Sequence, residues 1–230
     1  MLLGVLGGLG PMSSVYFYEL ITTLTRAERD QDHIDIILSS AATTPDRTAY
    51  ILGRSQEDPA PRMVADAKRL VGFGADVIAV PCNTAHYFYE QIADAVSVPV
   101  LNIIDETARF VRSEGFCRPG ILATEGTVRS ESYAVACARE GIACGYPTAE
   151  DQQMLSDMIY GSIKQGKLPR REDLVAIADR LEAKGCDCMV LGCTELSLIK
   201  RAGLCDPRFI DSLEVLARRA ISYCGKSIVL

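Results

Sequence analysis

Residues 74–82 are Gly-Ala-Asp-Val-Ile-Ala-Val-Pro-Cys, and residues 185–193 are Gly-Cys-Asp-Cys-Met-Val-Leu-Gly-Cys. Each stretch has a glycine turn, an aspartate, an apolar run and a final cysteine in the same order, and each follows an Arg-Leu pair. A short apolar run after a turn signal is typical of a strand buried on both faces. The repetition therefore predicts two copies of one helix–strand unit, each ending in a cysteine.

A second pair of stretches repeats in the same order, because residues 4–10 (GVLGGLG) align with residues 120–126 (GILATEG). Two further short apolar runs, residues 34–38 and 99–101, are predicted strands, and helical patterns alternate with the strands, most clearly at residues 13–29 and 62–72. Strands separated by helices indicate a parallel sheet covered on both sides. We therefore predict an α/β protein with two similar doubly wound parallel-sheet lobes, related by pseudo-two-fold symmetry, with the active site in the cleft between them.

The expected lobe boundaries follow from the repeat. The first lobe is predicted to cover residues 1–98 plus 208–230, and the second to cover residues 99–207. The amphipathic stretch 213–221 has no visible counterpart before residue 116, so we expect it to pack back on the first lobe.

Composition limits the function classes. The chain has 230 residues, 48% of them hydrophobic and 23% charged, which is typical of a globular domain and excludes disorder. Its net charge of −6 argues against a nucleic-acid partner. No apolar run approaches the ~18 residues of a membrane span, and residues 1–12 lack the basic start of a signal peptide. We therefore expect a cytoplasmic protein without a membrane partner.

The nine cysteines cannot all pair with one another, which favours free thiols in a reducing compartment. Cys186 and Cys188 are separated by a single residue and have no histidine cluster nearby, so no metal site is predicted. Seven of the nine are expected to be ordinary structural residues. Cys82 and Cys193 differ, because they end equivalent strands of the repeat.

The residues after these two cysteines are small and polar, Asn-Thr-Ala after Cys82 and Thr-Glu-Leu after Cys193, and are expected to open helices. The positive end of a helix lowers the pKa of a nearby thiol. Two thiols on opposite sides of one carbon can invert a stereocentre, since one removes a proton and the other returns it. Cys82 and Cys193 are therefore the predicted catalytic pair.

Five segments together give the sequence a resemblance to the cofactor-independent aspartate/glutamate racemase superfamily: residues 7–12 (GGLGPM), 45–48 (PDRT), 81–86 (PCNTAH), 122–127 (LATEGT) and 191–195 (LGCTE). Glu195 favours the aspartate racemase branch, because glutamate racemases usually carry histidine there. The resemblance implies racemisation of L- and D-aspartate and a role in D-amino acid metabolism. It also implies that no pyridoxal phosphate, metal or other cofactor is needed, and that the protein is a homodimer.

A racemase must hold the α-carboxylate of its substrate while negative charge develops beside it, which calls for fixed hydrogen-bond donors. The candidates open the two helices: Asn83, Thr84 and the Ala85 amide after one cysteine, and Thr194 after the other. Thr127 joins them from the counterpart of the glycine loop. Each of these residues could instead be a helix cap without a ligand.

The distal carboxylate of the substrate requires a cation. Arg47, predicted on a loop, can bind it through two parallel hydrogen bonds. By resemblance to the family, Lys164 closes over the same carboxylate from the second lobe. Met12 is expected to line the pocket, and Glu195 either accepts the substrate ammonium group or tunes Cys193.

Four alternatives remain open at this point. The enzyme could prefer glutamate or accept many amino acids, or it could isomerise maleate by adding one cysteine covalently to the alkene. It could also be a catalytically silent binding protein for acidic metabolites. In a redox sensor, Cys82 and Cys193 would form a reversible disulfide.

Overall fold

A computed structural model of the protein describes residues 1–229, which form two parallel β-sheets flanked by helices. The first sheet has the order β2-β1-β3-β4, and its strands are β1 (Leu2–Gly7), β2 (Asp35–Ser40), β3 (Val77–Ala79) and β4 (Val100–Leu101). The second sheet has the order β5-β6-β7, with β5 (Pro119–Leu122), β6 (Cys188–Leu191) and β7 (Phe209–Asp211). The predicted α/β class with parallel sheets in two lobes is confirmed.

The helices follow the strands along the chain. The α-helices are α1 (Pro11–Leu24), α2 (Arg47–Ile51), α3 (Ala60–Gly72), α4 (Tyr89–Ala93), α5 (Ile103–Ser113), α6 (Glu125–Arg129), α7 (Ser132–Arg139), α8 (Ala149–Ser156), α9 (Arg171–Ala183), α10 (Ser197–Arg201) and α11 (Ser212–Tyr223). Short 3-10 helices cover Asp30–Asp32, Thr84–Phe88 and Ile163–Gln165, and one π-helix covers Asp157–Ser162. None of the helices within residues 1–229 combines the length and the apolar character needed to cross a membrane.

The two sheets repeat one arrangement. Strand β1 pairs with β3 and β3 with β4, as β5 pairs with β6 and β6 with β7. Where β2 extends the first sheet, a single parallel bridge joins Gly145 to Gly120 of β5. The chain therefore follows the same path twice, and Cys82 and Cys193 follow the equivalent strands β3 and β6.

The sheets divide the chain differently from the predicted lobes. Strand β4 hydrogen-bonds to β3 in the first sheet, although residues 99–207 were assigned to the second lobe. Strand β7 pairs with β6 in the second sheet, although residues 208–230 were assigned to the first. Sheet membership thus separates residues 2–101 from residues 119–211.

Helix α11 has a counterpart after all. It follows β7 as α5 follows β4, and each begins at a capping side chain: Asn102 accepts from the amides of Ile104 and Asp105, and Asp211 from that of Leu213. The expectation that stretch 213–221 lacks a counterpart is therefore wrong. Helices α5 and α11 are equivalent in their position after a strand and in their capping side chains, and not in their amino-acid sequences. Helix α11 contacts α5 and also α1 of the first lobe, as expected.

Alternate residues of each strand enter different cores, as the two-residue period of a strand requires. Val77 and Ala79 of β3 lie in one hydrophobic core together with Val190 of β6, whereas Ile78 lies in an outer core behind the first sheet. Met189 lies in an outer core behind the second sheet. The two sheets therefore share a central core, filled by helices α1, α5, α7 and α11.

Candidate active site

Cys82 and Cys193 line the same pocket, one from each lobe. The space between its walls, counted together with the solvent at its open mouth, is about 270 Å³. Its walls are formed by Leu9, Asp46, Arg47, Thr48, Cys82, Asn83, Thr84, Thr124, Tyr160, Lys164, Cys193, Thr194 and Glu195. Both cysteines are buried free thiols beyond the carboxyl ends of their strands, where parallel sheets place ligand sites.

The turn that carries Cys82 is held by His86. The His86 ring nitrogen Nδ1 lies 2.8 Å from the Cys82 carbonyl oxygen, and the amide of Ile103 donates to Nε2 across 3.2 Å. Since Nε2 accepts, Nδ1 carries the proton and donates to Cys82. Burial lowers the pKa of His86, so this neutral form is maintained. His86 therefore anchors the turn and is not a proton carrier in the pocket.

Cys193 is in contact with Glu195. The Cys193 thiol donates to Glu195 Oε2 at 3.1 Å, and the carboxylate is only 6% exposed. Its other oxygen, Oε1, has no hydrogen-bond partner within residues 1–229 and lies 3.7 Å from Lys164 Nζ. A side chain at Gly10 would approach Oε1 to 2.5 Å, so the glycine provides the space that Glu195 occupies.

The pKa values of both thiols are raised, which contradicts the expected lowering. Burial raises the pKa of Cys82, and the positive charge of Arg47 opposes this only in part. Burial also raises the pKa of Cys193 well above its usual range, and the negative charge of Glu195 adds to the shift. The expectation failed because the helices after the two cysteines are short and desolvation of a thiolate outweighs their dipoles.

Arg47 is a buried cation without an ionic partner. It begins helix α2, capped by Asp46, so its predicted place on a loop is wrong. Its guanidinium donates to the carbonyl oxygens of Leu9, Thr44 and Pro45, with distances of 2.9–3.3 Å. Within residues 1–229 its Nε has no hydrogen-bond partner and no carboxylate pairs with it. A buried guanidinium in this state is suited to receive an anion.

Lys164 lies on the 3-10 helix Ile163–Gln165, at the mouth of the pocket. Its Nζ lies 3.7 Å from Glu195 Oε1, 3.9 Å from Asp46 Oδ2 and 4.6 Å from the centre of the Tyr160 ring. Its side chain thus spans from the second lobe to Asp46 of the first. Met12 is half exposed and lies outside the pocket, in an adjoining open groove that it shares with Arg47 and Lys164.

The remaining predicted residues join the lobes around the pocket. The Thr84 hydroxyl lies 2.9 Å from the hydroxyls of both Thr124 and Thr127 in the second lobe. Thr127 itself lies behind the pocket wall, and Thr124 takes its place in the lining. The backbone amide of Ala85 is close enough to Cys82 to lower the pKa of its thiol. Of the predicted donors, only Asn83, Thr84 and Thr194 line the pocket.

The Asp/Glu/hydantoin racemase family matches residues 6–220 of this chain. The chain belongs to this family. It is 30% identical to the aspartate racemase of Picrophilus torridus, with a TM-score of 0.86 over 99% of this chain and 96% of that one. An aspartate racemase homologue from Pyrococcus horikoshii OT3 is 26% identical, with a TM-score of 0.78 over 97% of this chain and 98% of that one. The broad specificity amino-acid racemase RacX of Bacillus subtilis (strain 168) is 27% identical over 96% of this chain and 97% of its own.

Five lining residues of this racemase family member were not among the predicted site residues, and two of them, Asp46 and Tyr160, are neighbours of Lys164. Asp46 flanks Arg47 and faces Lys164, and Tyr160 lies one helical turn before Lys164. Burial raises the pKa of Tyr160, and the side chain of Thr48 in the first lobe opposes this increase. Both residues lie close in the sequence to a predicted cation, Asp46 next to Arg47 and Tyr160 four residues before Lys164. Nothing else in the sequence indicates that they line the pocket. No cluster of His, Cys, Asp or Glu side chains within residues 1–229 has the arrangement of a metal site.

Proposed function

We propose that this protein racemises an acidic amino acid, aspartate above all, by a two-base mechanism with Cys82 and Cys193. The observation that carries the proposal is that both thiols line one pocket together with Arg47, a buried cation whose Nε is unpartnered. The pocket therefore combines two proton carriers with a receptor for a carboxylate. The family relationship supports the same reaction class.

The proposed reaction removes one proton from one face of the substrate Cα and adds one proton to the opposite face. One sulfur, as a thiolate, takes the proton from the substrate Cα, and the electrons of that C–H bond remain on Cα as a carbanion. The other sulfur, as a thiol, then donates its proton to the opposite face of Cα. The substrate is inverted, and the enzyme ends with its thiol and thiolate exchanged.

Ionisation of one thiol must come before this step, because burial raises the pKa of both. Glu195 Oε2 lies 3.1 Å from the Cys193 sulfur and is placed to accept its proton. On the other side, the positive charge of Arg47 lowers the pKa of Cys82 and stabilises its thiolate. Each sulfur thus has a neighbour suited to assist its ionisation.

The substrate carboxylates have separate partners in this proposal. Arg47 and Lys164 receive the distal carboxylate, with Arg47 as the stronger group because no protein carboxylate pairs with it. Asn83, Thr84 and Thr194 hold the α-carboxylate, where negative charge develops during proton removal. The two ends of the substrate place Cα between the two sulfurs.

Deuterium exchange tests the proposal. Purified protein is incubated with L-aspartate in D₂O under reducing conditions, deuterium at Cα is followed by NMR, and D-aspartate is quantified by chiral chromatography. We expect D-aspartate to accumulate with deuterium at Cα. Binding of aspartate without exchange would identify a silent binding protein, and a covalent cysteine adduct with maleate would identify an alkene isomerase.

Broad specificity is the second candidate. Lys164 already faces two carboxylates, Asp46 and Glu195, so its charge is only partly available to an acidic substrate. The similarity to RacX of Bacillus subtilis agrees with this alternative. The same exchange experiment on all proteinogenic amino acids decides between them: aspartate racemisation at least as fast as any other supports the first candidate, and faster racemisation of neutral or basic amino acids supports the second.

Two further expectations depend on the family resemblance and on the free thiols: a homodimer and a reducing, cytoplasmic location. Sedimentation at several protein concentrations tests the first. Fractionation of the source cells tests the second.

A further inference from the structure

Tyr133 on α7 is buried beneath the pocket and begins a chain of hydrogen bonds. Its hydroxyl donates to Asn83 Oδ1 at 2.7 Å, and Asn83 Nδ2 donates to Ser212 Oγ at 3.0 Å. Ser212 in turn donates to the carbonyl oxygen of Leu191 at 2.7 Å. The side chains of Tyr133, Asn83 and Ser212 are all at least 98% buried.

The direction of the chain follows from its last member. A carbonyl oxygen can only accept, so Ser212 must donate to Leu191 and accept from Asn83. Asn83 must therefore present its NH₂ group to Ser212 and its oxygen to Tyr133. Burial raises the pKa of Tyr133, which keeps its hydroxyl protonated and able to donate. The orientation of the Asn83 amide is thus determined from both sides.

The chain connects the two cysteine segments. Asn83 follows Cys82, and Leu191 ends β6 just before Gly192 and Cys193. Asn83 also lines the pocket, and one of its two amide N–H bonds is not used in the chain. If the amide turned over, that donor would be replaced by an acceptor, which repels a carboxylate.

We propose that Tyr133 is a positioning residue for racemisation, which locks the Asn83 amide so that its free N–H serves the substrate carboxylate and the Cys82 turn stays fixed. The inference rests on the proposed function and goes beyond it, since Tyr133 does not line the pocket. It is a second-lobe residue acting on the first-lobe cysteine. Its ring is fully buried and packs against Gly192, where a side chain would meet the Tyr133 ring at 3.1 Å.

The test is Tyr133→Phe, which removes the hydroxyl and keeps the ring. We expect kcat to fall about tenfold to 10²-fold with a smaller change in KM, as for a misplaced catalytic group. Tyr146→Phe is the matched control, because it removes a buried hydroxyl of the same lobe outside the chain. Full activity of Tyr133→Phe would overturn the proposal.

A double-mutant cycle shows whether Tyr133 acts through Asn83. We expect Tyr133→Phe to cause no further loss in an Asn83→Ala background, because the amide it orients is gone. Losses that multiply would mean that the two residues act separately, which contradicts the proposal.

A second readout does not need activity. Cys82 is 5% exposed, and its alkylation by iodoacetamide can be followed at the residue by mass spectrometry. We expect faster alkylation of Cys82 in Tyr133→Phe than in the wild type or Tyr146→Phe. An unchanged rate would contradict the positioning role even if the wild type racemised none of the amino acids tested, an outcome that would by itself refute only the proposed function.

Discussion

The hydroxyl of Thr194 donates a hydrogen bond to the carbonyl oxygen of Pro81 across 3.3 Å. Thr194 follows Cys193 and Pro81 precedes Cys82, so this contact joins the two cysteine turns directly. Pro81 lies in the turn after β3, and Thr194 lies in the turn after β6. The distance between the two sulfurs is therefore controlled by the loops themselves as well as by the sheets behind them.

Loss of this contact should weaken both the fold and the reaction. Thr194→Val removes the hydroxyl at nearly constant volume and leaves the Pro81 carbonyl without this donor. We expect the free energy of unfolding, measured in urea, to fall by about 1–3 kcal/mol, because a buried carbonyl group loses its hydrogen bond. Racemisation should also be slower. Thr194→Ser keeps the hydroxyl and should stay close to the wild type; equal losses in both variants would show that the methyl group matters and the hydrogen bond does not.

Each cysteine of the pair should be indispensable. Cys82→Ser and Cys193→Ser replace a thiol by a hydroxyl that is a far weaker acid, and we expect racemisation of aspartate to fall by about 10²–10⁴-fold or more in either variant. Cys224→Ser is the matched control, since Cys224 is also buried but lies away from the pocket. Turnover retained by either pocket variant would refute the two-base assignment.

The rate should rise with pH. The pKa of both thiols is raised, so in the free enzyme both are protonated near neutral pH and the thiolate fraction grows as pH increases. We expect kcat/KM for aspartate to increase about tenfold per pH unit between about pH 6 and about pH 8, and to level off or turn over only above that range. A pH profile that declines above neutrality would contradict the raised pKa values.

A substitution at Gly10 can displace the Glu195 side chain while the Glu195 residue itself stays unchanged. Gly10 has a φ of −110°, which alanine tolerates, but the added methyl group would lie 2.5 Å from Glu195 Oε1. We expect Gly10→Ala to lower kcat by separating the carboxylate from Cys193, with the fold retained by circular dichroism. Gly72→Ala is the control, because open space surrounds that position. Wild-type kcat in Gly10→Ala would remove Glu195 from the mechanism.

The planar guanidinium group of Arg47 should contribute to substrate binding through its geometry as well as through its charge. Arg47→Lys keeps the positive charge but loses the parallel donors, so we expect kcat/KM for aspartate to fall about tenfold or more, chiefly through KM. Arg54→Lys is a suitable control, since Arg54 pairs with Glu125 and is largely exposed. If Arg47→Lys binds aspartate as well as the wild type, the distal carboxylate has another receptor.

Features that depend on short stretches of neighbouring residues, such as apolar strands and the internal repeat, could be predicted from the sequence. Apolar runs located six of the seven strands, and the repeat identified Cys82 and Cys193 as equivalent. Strand β7, residues 209–211, escaped prediction because three residues give no period to detect. Without β7, nothing in the sequence indicated that residues 209–211 pair with β6 in the second sheet.

Features that depend on long-range packing could not be predicted. Tyr133 and Asn83 are distant in sequence, and nothing in either segment points to their hydrogen bond. The raised thiol pKa values depend on burial within the folded pocket, whereas the sequence showed only the helix starts. Arg47 does line the pocket, but its buried state follows from the carbonyl groups of Leu9, Thr44 and Pro45 that surround it.

The central core shared by the two sheets has a consequence for how the molecule unfolds. Leu216 of α11 and Val5 of β1 belong to the same fully buried cluster as Ile121 of β5. A fragment carrying one sheet alone would expose its part of that apolar surface to water, and only its outer core would remain to offset the cost. We therefore expect the two halves to unfold as one cooperative unit, without a stable intermediate that keeps one sheet and loses the other.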